Sequence, residues 1–204
     1  MSAVLASPAN WNQIFESDRA WNRYPPEELV RFCAGRKPGA VIDFGCGPAS
    51  GASWFLAREG WQYVGCDTSH NAIKRSEKRF DEEKLKGSWV ESLALLPSDH
   101  FDLFVDIASL QHIPAPNFYV AEAYRILKPG GELFSIHAAD DCSRRPYKEF
   151  GMTRFANRRQ MADLFYRQFM PASVEQTTRT IDQLDKAVVD WIWVCKKPNL
   201  QGIT

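Results

Sequence analysis

Residues 41–67 read VIDFGCGPASGASWFLAREGWQYVGCD, and this stretch decides the fold of the chain. The apolar run at 40–44 has the length and composition of a buried parallel strand. Gly45 and Gly47 follow it around one residue, which allows a tight turn and lets a ligand lie against bare backbone. Residues 50–59 then carry apolar side chains at helical spacing. The order of strand, glycine turn and helix predicts the first half of a nucleotide-binding βαβ unit.

An acid at the end of the second apolar run indicates the type of ligand. Asp67 lies 20 residues after Gly47, the spacing at which a carboxylate can accept hydrogen bonds from both ribose hydroxyls of a nucleotide. A dinucleotide fingerprint, G-x-G-x-x-G, needs a glycine where Ser50 stands, which disfavours a pyrophosphate ligand. Asp43 could orient the turn or meet an ammonium group, and it would repel a phosphate. We therefore expect a cationic nucleoside.

Four motifs in order resemble those of one enzyme family. Residues 41–47, VIDFGCG, and 65–69, GCDTS, resemble the first two motifs of class I S-adenosylmethionine-dependent methyltransferases. Residues 101–105, FDLFV, resemble the family's fourth strand, and 123–131, AYRILKPGG, resemble the helix and turn before its fifth. The resemblance implies a Rossmann-like, doubly wound α/β fold with a seven-stranded mixed sheet, order 3-2-1-4-5-7-6, in which strand 7 is antiparallel. It also implies S-adenosylmethionine as cofactor and S-adenosylhomocysteine as product.

The resemblance assigns cofactor roles to residues at the sheet edge. Asp67 is expected on the ribose, and residues 91–93 around the adenine. The register there is ambiguous by one, because Ser92 stands where the family has an acid and Glu91 precedes it. Asp43 or the backbone near Asp106 would face the methionine end. The full predicted cofactor-binding set is Asp43, Gly45, Cys46, Gly47, Asp67, Thr68, Glu91, Ser92, Leu93, Asp106, Ile107 and Tyr24.

Two helices are predicted before the first strand. Asn10 is a plausible cap for the first, and the second runs from the Pro-Pro turn to about Arg36. In the resembled family such helices close over the cofactor, so residues 10–36 are expected to form a cap over the cofactor and acceptor site. Trp21 could contact the acceptor and Tyr24 the sulfonium; the alternative is that they pack on the sheet.

The acceptor side should lie beyond the fourth and fifth strands. His112 is a candidate general base, because its unperturbed pKa suits proton removal near neutral pH; the alternative is that it only braces its loop. His137 and Asp140 are the other candidate bases. The polar stretch 138–157 is expected to line the acceptor site. Three arginines there could hold an anionic acceptor, namely Arg144, Arg145 and Arg154.

Further features of the sequence complete the prediction of elements. Residues 70–80 should form a helix capped by Thr68 or Ser69, and the charged stretch 74–86 should be a solvated face. Residues 128–131, KPGG, are expected to form a tight turn before the fifth strand. The last two strands should form an antiparallel hairpin.

Composition restricts the class of protein. With 204 residues the chain is predicted to be a single domain, residues 1–204. Its 25 basic and 25 acidic residues give a formal net charge of zero, which disfavours nucleic acid as a partner. Five scattered cysteines make no C-x-x-C pair, so we expect free thiols and no metal site. No leader or long apolar segment is recognised, which predicts a cytoplasmic protein with no membrane contact, either a monomer or a homodimer.

The sequence thus predicts methyl transfer from S-adenosylmethionine to oxygen or nitrogen of a small-molecule acceptor, possible examples being an anionic metabolite or a nucleotide-linked sugar. The choice between oxygen and nitrogen stays open. One alternative is a tRNA or protein methyltransferase, and another is a non-catalytic module that binds the cofactor. A nicotinamide-dependent oxidoreductase is a further rival, against which Ser50 and Asp43 both argue.

Overall fold

The computed structural model describes residues 8–16, 24–140, 157–180 and 187–199. Within these ranges one seven-stranded sheet is flanked by helices. The helices are α1 (Pro8–Ile14), α2 (Glu27–Cys33), α3 (Gly51–Arg58), α4 (His70–Glu82), α5 (Pro116–Ile126) and α6 (Arg158–Phe165). The strands are β1 (Ala40–Phe44), β2 (Gln62–Cys66), β3 (Ser88–Val90), β4 (Phe101–Ile107), β5 (Leu127–Ala138), β6 (Met170–Thr180) and β7 (Ala187–Lys196). Short 3₁₀ turns cover Leu93–Leu95 and Leu110–His112.

The strand order is β3-β2-β1-β4-β5-β7-β6, which confirms the predicted topology. Strands β1 to β5 pair in parallel, and β7 runs antiparallel to both β5 and β6. The chain order reverses between β1 and β4, so their carboxyl ends open a crevice at one edge of the sheet. The glycine turn after β1 and the loop after β4 meet at this crevice.

Apolar side chains bury both faces of the sheet. One face packs beneath α5 and α6, and the core between them includes Phe104, Tyr119 and Trp193, each exposed by no more than 2%. The opposite face packs beneath α2 and α3, which contribute Leu29 and Leu56 to the second core cluster. Burial on both faces explains why β1 and β4 read as near-continuous apolar runs.

Two expectations about local structure were wrong. Asn10 lies inside α1, which begins at Pro8, so it is not the cap of that helix. Residues 128–131 are not a separate turn but part of β5, because Leu127 already pairs with Phe101 before a register shift leads to the pairing of Glu132 with Leu103. At residues 128–131 proline and glycine predicted an interruption of the strand, but pairing with β4 on both sides of this segment keeps it within β5. The charged residues of 74–86 are mostly exposed, as expected, and Arg79 in addition donates to the carbonyl of Ala49.

A buried lysine fastens the end of β7 to the neighbouring helix. The Nζ of Lys197 is 2.6 Å from Asp99 Oδ1 and donates to the carbonyls of Tyr124 (2.8 Å) and Leu127 (2.7 Å). The residue is only 6% exposed. Its three bonds hold the residue directly after β7 against the junction between α5 and β5.

We expect Lys197→Met to lower stability by about 2–4 kcal/mol, because two carbonyls and one carboxylate lose their donor while the apolar stem is retained. For a chain of this size that corresponds to a fall in Tm of about 4–16 °C, measurable by differential scanning calorimetry. Lys196→Met is the matched control, since Lys196 is the exposed neighbour. Equal Tm values for the two variants would contradict the role given to Lys197.

Candidate active site

The glycine turn after β1 folds back onto β2. Gly45 and Gly47 have φ values of +66° and +60°, which glycine adopts without strain. The backbone N–H groups of Gly45 and Cys46 both donate to the carbonyl of Cys66, at 2.7 and 3.2 Å. A Cβ on Gly45 would overlap Oγ of Ser109 and lie 2.6 Å from its Cβ. A glycine is therefore needed where the turn meets the loop after β4.

Asp67 places a buried carboxylate beside this turn. Its Oδ2 accepts from Gly47 N at 2.9 Å and its Oδ1 accepts from Ser69 N at 2.8 Å. The residue is 9% exposed, and burial raises its pKa although the two backbone donors oppose that shift. Among the described residues no cationic side chain pairs with it. Each oxygen keeps a lone pair, so the carboxylate fits a ligand that brings two hydroxyl donors, such as a ribose.

Asp43 lies beneath the turn and is 2% exposed. Its Oδ2 accepts from Ser53 Oγ at 2.7 Å and from Tyr63 OH at 2.9 Å. Burial raises the pKa of this carboxyl to about 6, while the two hydroxyl donors act in the opposite direction. These bonds tie α3 and β2 to β1. They fit the first of the two roles predicted for Asp43, which were orienting the glycine turn and meeting an ammonium group.

Asp106 organises the loop after β4. Its Oδ1 accepts from Ser109 N at 2.8 Å, and its Oδ2 accepts from Leu110 N at 3.1 Å and from Tyr119 OH at 2.8 Å. The side chain is fully buried, and burial raises its pKa to about 7 against the effect of these donors. The side chain thus caps the 3₁₀ turn and joins it to α5.

The raised pKa values predict a pH-dependent stability. A carboxyl whose pKa is higher in the folded than in the unfolded state stabilises the protein below the unfolded value, near 4, and this contribution is lost as pH rises through the folded value. Between pH 5 and pH 8 these carboxyls therefore contribute a fall in Tm. Asp106→Asn, which keeps the shape and an acceptor oxygen, should reduce that fall by about 5 °C in thermal unfolding at stepped pH.

Asp102→Asn supplies the control for this measurement. Burial acts to raise the pKa of Asp102, but the bonds from Lys128 Nζ, both at 2.8 Å, and from Ala40 N outweigh burial and lower this pKa below its ordinary value. Its contribution is lost only below its unfolded value, so the slope between pH 5 and pH 8 should stay that of the parent protein. An Asp106→Asn slope equal to that of Asp102→Asn would be evidence against a protonated Asp106.

Helix α1 lies over the crevice. Phe15, 6% exposed, comes within 3.9 Å of where a Cβ of Gly47 would lie. The Oδ1 of Asn12 accepts from Ser69 Oγ at 2.8 Å and from Asn71 N at 3.2 Å. These contacts hold α1 against the glycine turn and the start of α4.

His112 closes the 3₁₀ turn after β4, at the carboxyl edge of the sheet. Its ring meets Trp11 of α1 edge-on, with centroids 5.0 Å apart. Its Nε2 is 3.5 Å from Nε2 of Gln111, whose Oε1 accepts from Ala138 N at 2.9 Å. The structure thus brings His112, α1 and the end of β5 together.

The other two candidate bases lie at the end of β5. His137 is 2% exposed, and burial lowers the pKa of its imidazole to about 3. The ring is therefore neutral near pH 7 but weakly basic, which makes it a poor proton acceptor. Asp140 is half-buried directly after the strand. Of the three candidates, His112 and Asp140 are half-buried, whereas His137 is fully enclosed.

The predicted adenine residues lie at the end of β3. Glu91 is exposed and its Oε1 is 3.7 Å from Nδ1 of His70. Ser92 caps the following 3₁₀ turn by accepting from Ala94 N at 3.3 Å. Leu93 is buried at 6% exposure, whereas Thr68 is exposed. These placements leave the one-residue ambiguity between Glu91 and Ser92 open.

The remaining predicted site residues divide into described and undescribed positions. The phenol of Tyr24 is 79% exposed, so the structure does not bury it against the glycine turn. Ile107 is half-buried and packs on the α2–α3 side of the sheet. Four predicted residues lie outside the described ranges: Trp21, Arg144, Arg145 and Arg154.

Sequence reasoning missed the residues that hold the site together. Ser109 Oγ donates to the carbonyl of Gly45, Tyr119 OH donates to Asp106, and Asn12 Oδ1 accepts from Ser69 Oγ, so each joins separate elements at the site. For Ser109 the sequence does contain one signal, since close approach to Gly45 requires a small residue shortly after the acid near the end of β4. For Asn12 we find no sequence signal.

Among the described residues no group of three or more potential ligands could hold a metal ion. None of the described helices is both long and apolar enough to span a membrane. Four described cysteines are buried free thiols: Cys33, Cys46, Cys66 and Cys195.

Comparison with known families and proteins gives a consistent result. The family model described as "Methyltransferase domain" matches residues 42–135. The methyltransferase GfsG of Streptomyces halstedii is 33% identical over 111 residues, which cover 52% of this chain and 39% of that protein. The ubiquinone biosynthesis O-methyltransferase of Methylococcus capsulatus is 32% identical over 105 residues, covering 50% and 43%. The matched region thus spans less than half the length of these two relatives.

A solved structure covers almost the whole chain. It comes from work on the conversion of a disulfide bond into a thioacetal group during echinomycin biosynthesis, and it superposes with a TM-score of 0.79 over 95% of this chain and 94% of that one. The sequence identity is 18%, so this likeness concerns the fold alone.

Proposed function

Residues 42–135 are a methyltransferase domain of the class I S-adenosylmethionine-dependent family, and from this premise we propose that the protein transfers a methyl group from S-adenosylmethionine to oxygen or nitrogen of a small-molecule acceptor. The observation that carries the proposal is the buried carboxylate of Asp67. It is fixed beside the glycine turn by Gly47 N and Ser69 N, and no described cation neutralises it.

The domain residues have separable tasks. Asp67 would hold the ribose, the backbone of residues 45–47 would carry the adjoining part of the cofactor, and residues 91–93 would surround the adenine. When bound, S-adenosylmethionine supplies a methyl group on a sulfonium, a good leaving group. The protein must therefore mainly align the acceptor and exclude water. Helix α1, packed over the crevice through Phe15 and Asn12, is suited to the second task.

His112 is proposed as the proton acceptor when the substrate is a hydroxyl. We expect His112→Ala to lower kcat by at least about tenfold, at the modest end of general-base effects, with the Kd for S-adenosylmethionine unchanged. Steady-state kinetics and calorimetry measure the two quantities separately. His100→Ala, a change of the same residue type at an exposed position, is the control. A kcat equal to that control would leave His112 with a bracing role only.

Calorimetric titration with S-adenosylmethionine, S-adenosylhomocysteine and NAD tests the cofactor first. Micromolar affinity for the two adenosyl ligands with no heat from NAD is the expected result, and binding of NAD alone would overturn the proposal. Formation of S-adenosylhomocysteine in the presence of a small-molecule acceptor library then tests the reaction. Binding without turnover on any acceptor would favour the non-catalytic module, and turnover on tRNA or protein alone would favour a macromolecular substrate.

A further inference from the structure

A set of buried polar atoms lies on one face of β5 and β7, outside the cofactor crevice described above. Ser135 and His137 are two residues apart on β5 and so share a face. The antiparallel register places Trp193 opposite Ser135 and Trp191 opposite His137. Opposed side chains in such a pair have Cβ atoms about 5 Å apart. Two successive cross-strand pairs therefore bring four polar side chains together.

Three of these four side chains carry hydrogen-bonding groups that no described residue satisfies. The atoms concerned are both ring nitrogens of His137, and Nε1 of Trp191 and of Trp193. Unpaired buried polar groups are uncommon and costly, so a group of them indicates a missing partner. His137 contributes most, because it is 2% exposed and leaves two nitrogens unpaired.

The two pairs differ in their access to the sheet edge. Trp193 is fully buried beneath α6, where its ring lies 5.7 Å from that of Phe165. The outer pair is nearer the carboxyl edge, and Trp191 is half-buried although its Nε1 is not exposed. The outer pair, His137 and Trp191, also adjoins Ala138, whose N–H donates to Oε1 of Gln111 in the loop that carries His112. The outer pair therefore borders the loop that carries His112, whereas the inner pair lies deeper beneath α6.

We propose that His137 and Trp191 form a binding subsite for an uncharged, hydroxyl-bearing ring of the methyl acceptor. This inference rests on the proposed function. A neutral imidazole presents one donor and one acceptor nitrogen, and the indole presents one donor. A hydroxyl group matches this set, since its oxygen accepts from the indole N–H while its hydrogen is donated to the imidazole. The flat face of Trp191 suits a ring.

The charge of the subsite supports an uncharged ligand. The very low pKa that burial gives the imidazole keeps His137 neutral at physiological pH, so it supplies no counter-charge. An anionic group held by this neutral pair would be desolvated without a cationic partner from the pair, which is costly. This favours a neutral ring over the anionic acceptor considered from the sequence.

The test uses the full chain saturated with S-adenosylhomocysteine and labelled with ¹⁵N. Phenol is the uncharged probe, and benzoate is its anionic counterpart. The indole N–H signal of Trp191 and the ring nitrogen signals of His137 report on the subsite. Trp89 provides an internal control, because its Nε1 is also buried and unpaired but lies on β3, near the other edge of the sheet.

We expect phenol to shift the signals of Trp191 and His137 saturably, with a Kd on the order of 1 mM for so small a ligand, and to leave Trp89 unchanged. Benzoate should bind at least about tenfold more weakly. Trp191→Phe and His137→Phe should each raise the Kd for phenol at least about tenfold, whereas Trp89→Phe should not change it. Trp191→Phe removes one N–H and keeps an aromatic ring, so it remains informative if His137→Phe does not fold.

The opposite results separate the two proposals. If S-adenosylhomocysteine binds and phenol shifts neither signal, the nitrogens are satisfied by buried water only and the subsite is overturned while the proposed function stands. Stronger binding of benzoate than of phenol also overturns the subsite. An equal rise in the Kd for phenol in Trp89→Phe and Trp191→Phe overturns it as well. If S-adenosylhomocysteine itself fails to bind, the proposed function falls and the acceptor subsite falls with it.

Discussion

Replacing Asp67 by alanine is expected to weaken binding of S-adenosylhomocysteine by about 10²-fold, or ~3 kcal/mol. The change removes a carboxylate that fixes Gly47 N and Ser69 N and that would accept both ribose hydroxyls. Hydrogen bonds to a charged acceptor are each stronger than neutral ones, and the loop donors would also lose their partner. Calorimetric titration of the folded variant measures the effect directly.

A matched pair separates the role of this carboxylate from a general effect of charge. Asp67→Asn and Asp102→Asn make the same chemical change on two hydrogen-bonded carboxylates. Asp67 accepts from two backbone N–H groups, and Asp102 accepts from one backbone N–H group and from Lys128. Asp102 is the second residue of β4, at the end of the strand away from the crevice. We expect weaker binding only in Asp67→Asn. An affinity unchanged from the parent protein in both would remove Asp67 from the ribose and with it the main support for the proposed function.

Replacing Gly45 by valine should abolish cofactor binding and destabilise the domain. Its φ of +66° is strained for a residue with a β-branched side chain, and any Cβ there overlaps Ser109. The turn could relieve this overlap only by moving away from the loop after β4, which would displace the backbone that the cofactor is expected to contact. Titration and calorimetric unfolding would show both losses.

Alanine variants divide the loss into its two causes. Gly35 has a φ of +74° and nothing within 4 Å of an added Cβ, so Gly35→Ala measures the conformational cost alone, about 1 kcal/mol. Gly45→Ala should cost clearly more, and Gly45→Ala combined with Ser109→Gly should recover most of the difference in Tm. If Gly45→Ala and Gly35→Ala unfold at the same temperature, the close approach to Ser109 has no energetic consequence.

The sheet could be predicted from the sequence because its signals are local or belong to the family motifs. The apolar run at 40–44, the glycines after it and the acid at 67 each depend on neighbouring residues, and the structure confirms the elements they predict. The strand order came with the family resemblance, and the structure confirms it too.

The supporting contacts of the site could not be predicted in the same way. Asp106 was recognised as an edge residue, but its bond to Tyr119 depends on how α5 docks on the sheet. Asn12 meets Ser69 only because a short helix far away in the chain settles over the crevice. Such contacts follow from packing, which a periodicity of apolar residues does not specify. The burial that makes His137 a weak base is likewise a property of the assembled sheet.

The position of β7 has a consequence for how the chain folds as it is synthesised. Strand β7 follows β6 in the chain but lies between β5 and β6, and β6 pairs with β7 alone among the described strands. While the ribosome is still adding residues 187–196, β5 and β6 each present an unpaired edge to other nascent chains. The parallel half of the sheet can form early, whereas completion of the other half must wait for this segment. Slow translation there would prolong the interval in which the nascent protein is prone to aggregate.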